Sequence, residues 1–237
     1  RELAALGADV SVMARRAEAL EAVVADLPRK AGQRHDVLVA DVSRLDALRT
    51  RVDALVASRP VHILVNNTGG PPGGPVFAAT AEAFLDAFGQ HLLANQALAQ
   101  AVVPGMRAAG WGRIVNVVST SVYEPIPGLG VSNTIRGAVA GWAKTLAREL
   151  GAQGITVNNV LPGYTETSRI EQILHDRAAA TGKSREEVVA SMLASVPVGR
   201  FAQPQEPAGV IAFLCSPSAA YVTGVSLAVD GGRMQSI

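Results

Sequence analysis

Apolar positions fall along this chain in short unbroken runs that alternate with segments of helical spacing. Arg1 to Leu6 reads as the last turns of a helix, with Gly7 as its C′ residue. Residues 8–14 read as a strand and 17–27 as an amphipathic helix, followed by a strand near 36–41, a helix near 43–58 and a strand at 61–66. A long helix is predicted over 80–109, bent at Pro104 because proline removes a backbone donor. A strand at 113–118, a helix at 132–151 and a strand at 155–160 come next. Two polar helical segments occupy 168–195, and a helix at 205–215 precedes a last strand at 225–229. Most of these strands lack polar alternation, the pattern of parallel strands buried on both faces. Strands alternating with helices imply right-handed βαβ units. The expected fold class is therefore α/β, a doubly wound parallel sheet of the Rossmann type, in one domain over residues 1–237 without an internal repeat.

The start of the chain is out of step with that fold. A dinucleotide-binding sheet opens with a strand and a glycine-rich turn that seats the pyrophosphate, and in the usual order 3-2-1-4-5-6 that strand is central. Without it a gap of roughly 9–10 Å, about two strand spacings, would open in mid-sheet, and both neighbours would carry unpaired backbone groups. The expectation is that strand 1 and its glycine loop exist upstream of Arg1. The alternative is a shortened variant that binds no dinucleotide.

Composition narrows the partners. Lys plus Arg total 21 against 20 for Asp plus Glu, and aromatics make up 4%. A net charge of +1 gives no electrostatic case for nucleic acid. Cys215 is the single cysteine, so no intramolecular disulfide is possible and a reducing compartment is expected. No apolar run approaches the ~18 residues a bilayer span requires, and the first residues do not read as a signal peptide. The reading is a cytoplasmic protein with a small-molecule substrate, no membrane partner and no nucleic acid. The histidines, His35, His62, His91 and His175, lack metal-ligand spacing, so no metal site is expected.

Candidate chemistry gathers after the strands. The strand at 61–66 runs into Asn66-Asn67-Thr68-Gly69-Gly70, the strand at 113–118 ends at Ser119, and 155–160 leads into Leu161-Pro162-Gly163-Tyr164-Thr165-Glu166-Thr167. In an open α/β sheet ligands bind outside the carboxyl ends of strands, where these loops sit. The Asn-Asn-x-Gly turn, the Arg113-Ile-Val-Asn-Val-Val-Ser119 strand and the Lys144-Thr-Leu-Ala-Arg-Glu-Leu150 helix carry a resemblance, as do the Pro-Gly-x-x-x-Thr loop and the Val229-Asp230-Gly231-Gly232 end. Over its whole length the chain resembles the short-chain dehydrogenases/reductases, most closely their β-ketoacyl carrier-protein reductase-like branch. The resemblance implies that Asn67, Thr68 and Gly69 line the cofactor ribose and that Asp41 and Val42 flank the adenine. It also implies that Pro162, Gly163 and Thr165 contact the nicotinamide amide, with Thr167 nearby. Asp41 reads equally as a helix N-cap, since Asp41-Val42-Ser43 precedes a helix.

Cofactor choice follows from charge. NAD-selective sheets place an acid at the end of the second strand to bond the ribose 2′-hydroxyl. This chain has Ala14 there, followed by Arg15 and Arg16, which suit a 2′-phosphate. NADP is expected rather than NAD.

The resemblance also exposes a departure. The family's chemistry uses a Tyr and a Lys four residues apart, a Ser on the preceding strand and an Asn on the long helix. Ser119 matches the Ser, but the Tyr position falls on Ser132, the Lys position on Arg136 and the Asn position on His91. A phenol starts near pKa ~10, whereas an aliphatic hydroxyl starts far higher, so Ser132 is a poor proton donor. Arg136 keeps a charge and can hold phosphate or ribose oxygens, but cannot relay protons as Lys can. His91 could titrate near neutrality and take over a relay, or simply pack. Tyr123 and Tyr164 are the remaining phenols close in sequence to the site.

Two functions remain. The first is an NAD(P)-dependent oxidoreductase acting on a carbonyl or secondary alcohol, 3-oxoacyl-reductase-like, with a rebuilt proton-transfer site. The alternative is a nucleotide-binding or ligand-sensing protein of the same fold that has lost hydride transfer. Residues 168–195 are expected to form a substrate lid, and the chain to assemble as a homotetramer or homodimer.

Overall fold

The structure, a computed structural model, describes residues 1–30 and 32–236. Helix α1 (Glu2–Ala5) ends as predicted at Gly7, which holds φ +103°. The N–H groups of Gly7 and Ala8 bond the carbonyls of Ala4 and Leu3, closing the helix end in a Schellman motif. Strand β1 (Ser11–Ala14), α2 (Ala17–Ala25) and β2 (Asp36–Val39) form the first unit, with β1 and β2 parallel. Helix α3 (Leu45–Ser58) leads to β3 (Ile63–Asn66).

The long helix is not continuous α-helix. It comprises α4 (Ala81–Phe88), a π-helical turn (Gly89–Leu93) and α5 (Ala94–Ala109). Pro104 lies inside α5, and a further irregularity, the π turn, precedes that helix. Thr80 caps α4 by accepting from the Ala83 N–H, and Gly110 at φ +61° stops α5. The rest of the chain supplies β4 (Gly112–Val117), α6 (Gly130–Leu150), β5 (Ile155–Pro162), α7 (Ser168–Thr181), α8 (Arg185–Leu193), α9 (Gln205–Cys215) and β6 (Ser226–Val229).

All strand pairs are parallel, in the orders β1-β2 and β3-β4-β5-β6. No hydrogen-bonded pair joins β1 to β3 among the described residues, so the sheet is interrupted at the place where the strand-order argument left a position unfilled. Both parts nevertheless share one apolar layer. Met13 and Leu38 pack with Leu64 against Leu48, Val52, Leu98 and Met106, on α3 and α5. On the opposite face Leu214 and Cys215 of α9 cover Val115 and Val160. Burial pushes the Cys215 thiol up to about 11, in keeping with a small packed hydrophobe.

Within these apolar strands sits one polar row. Asn66, Asn116, Asn159 and Ser226 are register partners on β3, β4, β5 and β6. Their side chains form a relay: Asn66 Nδ2 donates to Asn116 Oδ1 at 2.8 Å, Asn116 Nδ2 to Asn159 Oδ1 at 2.9 Å, and Asn159 Nδ2 to Ser226 Oγ at 3.0 Å. Each amide both donates and accepts along the row except the first, whose Oδ1 is buried without a partner. A one-residue slip would break two links at β4 or β5 and one at β3 or β6, so the row fixes the relative register of the strand ends.

Asn116→Ala should remove the middle of this relay and strand a donor on Asn66 and an acceptor on Asn159. A loss of roughly 2–4 kcal/mol in urea unfolding is expected from orphaned buried groups. A change below ~0.5 kcal/mol, the scale of an ordinary surface substitution, would show that the relay does not hold the sheet.

Candidate functional site

Four parallel strands held in register deliver their following loops to one edge. Behind β3 come Asn67, Thr68, Gly69 and Gly70; behind β4, Ser119; behind β5, Gly163 to Thr167; behind β6, Asp230 to Gly232. Arg15 and Arg16 follow β1, and Asp41 and Val42 follow β2. The sequence-derived cofactor positions therefore lie at or just beyond carboxyl ends of strands, with Pro162 the last residue of β5, the ligand-binding end of such a sheet.

Local contacts sort these residues. Ala14, Arg15, Arg16 and Ala19 line an open hollow at the end of β1. Arg15 and Arg16 are exposed, and among the described residues no carboxylate within ion-pair distance neutralises them. Asp41 does not cap α3. Its Oδ1 accepts from the backbone N–H and hydroxyl of Ser43 at 2.9 and 2.8 Å, closing a turn that ends before the helix. Those hydrogen bonds, and the neighbouring Arg15 and Arg44 cations, hold its carboxyl below the usual range. Val42 is half-buried and packs into the core under α3.

The loop after β5 is fixed by its own backbone. Gly163 donates to the Val229 carbonyl at 2.9 Å, and a Cβ there would meet Asp230 Cα at 2.7 Å. Close approach of two backbones therefore requires glycine at this point, whatever a cofactor needs. Thr165 donates to Gly163 O and Thr167 to Thr165 O, both at 3.3 Å, so these hydroxyls brace the turn into α7.

Around Ser119 the chemistry differs from expectation in one respect. Ser119 Oγ accepts from the Ser121 N–H at 3.1 Å, which leaves its own proton free to donate. Ser132 is buried on α6. One turn on, Arg136 reaches under the end of β4, donating from Nη1 to Val117 O at 2.8 Å. Burial, and second the Arg169 cation, pull the Arg136 guanidinium down to about 10, so it stays charged at neutral pH. His91 lies in the π turn, is 3% exposed, and its Nδ1 pairs with Thr68 Oγ1. Burial, with the Arg136 cation second, pushes the imidazole down to about 4. It is neutral through the physiological range, which removes the near-neutral titration considered from sequence. The cause is physical: a cationic imidazole would be desolvated beside an existing cation.

The two remaining phenols have contacts of their own. Tyr123 is half-exposed and its hydroxyl donates to Ser226 O at 3.4 Å. Tyr164 packs edge-on against Phe201 and under Arg233, in the cluster of α7 and α8. Among the described residues no cluster of His, Cys, Asp or Glu could hold a metal, and no helix is long and apolar enough to cross a membrane.

Two features escaped the sequence reading. The amide relay was visible only as polar asparagines, Asn116 and Asn159, inside otherwise apolar runs. Arg169 gave no local signal, since it belongs to a polar helix. In the fold its Nη2 donates to Pro71 O at 3.2 Å, tying α7 to the loop after β3.

Comparison with known proteins agrees with this geometry. A family model described as enoyl-(acyl carrier protein) reductase matches residues 1–233. A putative ketoacyl reductase of Streptomyces coelicolor is 35% identical over 235 residues, covering 98% of this chain and 90% of that protein. The 3-oxoacyl-[acyl-carrier-protein] reductase of Vibrio harveyi is 35% identical over 197 residues, covering 82% of this chain and 74% of its own. Among solved structures, a variant actinorhodin polyketide ketoreductase with NADPH superposes with a TM-score of 0.91 at 34% identity, covering 99% and 91% of the two chains. L-sorbose reductase from Gluconobacter frateurii, complexed with NADPH and L-sorbose, gives a TM-score of 0.90 at 29% identity, covering 99% and 90%.

The depressed His91 pKa predicts a pH effect on stability. The folded value, about 4, lies below the ordinary value of 6.5 that the unfolded chain would show. The group's contribution is therefore complete above pH ~6.5 and is lost as pH falls towards 4, by roughly 3 kcal/mol. His91→Asn should flatten this part of the pH–stability curve measured by urea unfolding. An unchanged slope in the variant would mean that His91 is not held neutral by its site.

Proposed function

Since the chain belongs to the short-chain dehydrogenase/reductase superfamily, in its ketoacyl-reductase-like branch, we propose that it is an NADPH-dependent carbonyl reductase with a 3-oxoacyl-like substrate preference and a proton donor other than the family's phenol. The observation that carries this reading is Arg136. It sets a permanent cation under the end of β4, two residues from Ser119 and beside the loops that would hold the cofactor.

In this reading Arg15 and Arg16 take the 2′-phosphate, and Asn67, Thr68 and Gly69 line the ribose next to it in the cleft. Asp41 and Val42 flank the adenine, while Pro162, Gly163, Thr165 and Thr167 border the nicotinamide. The bound cofactor supplies hydride. Ser119 hydrogen-bonds the substrate oxygen, Arg136 stabilises the negative charge that grows there, and solvent water supplies the proton that completes the alcohol. Ser132 adds at most a second hydrogen bond. His91, neutral and bonded to Thr68, positions the ribose-binding turn in place of relaying protons. Such a site polarises the carbonyl well and delivers the proton poorly, so turnover slower than that of a phenol-bearing relative is expected.

The segment 168–195 acts as the lid. Support comes from its separate small core, in which Ile170 and Leu174 of α7 meet Val188 and Met192 of α8. A capping box between Ser184 and Glu187 starts α8. A protein with such a core can move as a unit on the turn after β5. We also propose a cytoplasmic homotetramer or homodimer. Leu85, Phe88 and Leu93 are exposed apolar side chains along the long helix. Gly137 and Gly141 leave open space on the exposed side of α6, where a second helix can approach.

A second reading, nucleotide binding without hydride transfer, is favoured by one observation: Ser132 and Arg136 stand where the family's Tyr and Lys fall. The two separate on NADPH oxidation with small ketones and 3-oxoacyl thioesters, run beside NADPH binding by fluorescence. Binding with turnover supports the reductase; binding alone supports the second reading.

Arg15→Ala with Arg16→Ala should weaken NADP by at least about tenfold and NAD by much less, since a charged hydrogen bond to phosphate is lost in one case only. Equal losses in calorimetry would refute the 2′-phosphate assignment. Ser132→Ala should lower kcat only mildly, because positioned proton transfer contributes about 10²–10⁴ and Ser132 does not supply it. The double change Ser132→Tyr with Arg136→Lys should raise ketone reduction. Loss of turnover in Ser132→Ala with NADPH affinity intact would overturn this part of the mechanism.

A further inference from the structure

A second cation lies beside Arg136. A Cβ built on Gly70 would stand 3.5 Å from Arg169 Nη2 and 3.8 Å from Arg136 Nη2. Two guanidinium groups from different helices therefore reach the same point, over a residue whose missing side chain leaves it open. Each is anchored through a backbone carbonyl, Arg136 on Val117 and Arg169 on Pro71, and neither forms an ion pair among the described residues. The acids nearest on the same segment are engaged elsewhere. Glu171 pairs with Arg185 at 2.8 Å, and Glu166 accepts from Gln203 at 2.7 Å. Burial first, and the Arg169 cation second, lower the Arg136 guanidinium.

Like charges held together without a counter-ion cost stability unless something negative joins them. The point they share lies between the loop after β3 and the start of α7, close to the Ser119 end of the cleft. The N-cap of α7, Thr167, makes no side-chain cap hydrogen bond, so the positive end of that helix adds to the field.

We propose that Arg136 and Arg169 form a two-arginine clamp for an oxyanion carried by the substrate, so that the chain takes an acidic carbonyl compound, bearing a carboxylate or a phosphate ester, in preference to a neutral ketone. This rests on the carbonyl-reductase reading above. Planar guanidinium groups suit either oxyanion, because each can present paired donors. Because Arg169 already bonds the loop after β3, a bound anion would tie α7 more firmly to that loop and couple lid position to substrate charge.

The test uses the complete protein saturated with NADP and matched probes in calorimetry: acetoacetate against ethyl acetoacetate, and dihydroxyacetone phosphate against dihydroxyacetone. At least one anionic probe should bind about tenfold or more tighter than its neutral partner. Arg169→Gln should remove that preference and leave NADP affinity within about twofold, while Arg169→Lys should keep part of it. Equal affinity for charged and neutral probes, or no binding of any probe, would overturn the proposal. So would an Arg169→Gln variant that loses NADP affinity and retains the anion preference, since the clamp would then serve the cofactor's own phosphates. NADPH oxidation is read separately. Anion preference without oxidation of NADPH by any probe would keep the clamp and remove the reductase reading, so the two ideas fail in different ways.

Discussion

The polar row across β3, β4, β5 and β6 is the constraint from which the site follows. Hydrophobic packing alone would tolerate a strand sliding by two residues, because Val and Ile on neighbouring strands are interchangeable to the core. Amides are not interchangeable. Asn66, Asn116, Asn159 and Ser226 must meet side by side, or buried donors and acceptors are left unmade at a cost of ~1–3 kcal/mol each. Register at this row determines where each strand stops, and hence where Thr68, Ser119, Gly163 and Asp230 enter the cleft. Placement of the reactive groups is thus a consequence of hydrogen-bond satisfaction inside the sheet.

In the proposed mechanism one electrostatic solution replaces another. A phenol with a lysine can both polarise a carbonyl and deliver a proton. Ser132 with Arg136 would retain polarisation, since Arg136 stays cationic even when burial pulls it to about 10. That cation has a further effect on its neighbour. It adds to burial in holding His91 neutral, so the imidazole serves as a hydrogen-bond partner for Thr68 and not as an acid. In the proposed clamp the same cation, with Arg169, would favour negative ligands at the mouth of the site.

Much of this was legible in the sequence. Continuous apolar runs marked buried parallel strands, and their spacing with helices fixed the fold class. Residues such as Ser119 and the Pro162-Gly163 turn could be placed because strand ends in this fold are ligand-binding ends. The interruption of the sheet between β1 and β3 also follows from strand order. What stayed hidden depended on distance in sequence. The contact of Arg169 with Pro71 spans 98 positions, and nothing near either residue announces it. The π turn at Gly89–Leu93 was unreadable for a different reason, because one extra residue per turn leaves no mark on helical spacing over a single turn. Asp41 was misjudged as a possible helix cap because Ser43 captures its carboxylate first. His91 could not be given its protonation state without knowing that a cation from α6 would face it.

The account stands or falls on whether hydride moves. The direct measurement is transfer of deuterium from NADPH deuterated on the nicotinamide ring to the carbinol carbon of the alcohol product, followed by mass spectrometry across a panel of ketones, keto acids and 3-oxoacyl thioesters. Label in the product of at least one substrate, at a rate that survives Ser132→Ala, is the predicted result. Tight NADPH binding with no label in any product would contradict it and leave a nucleotide-binding protein without hydride transfer.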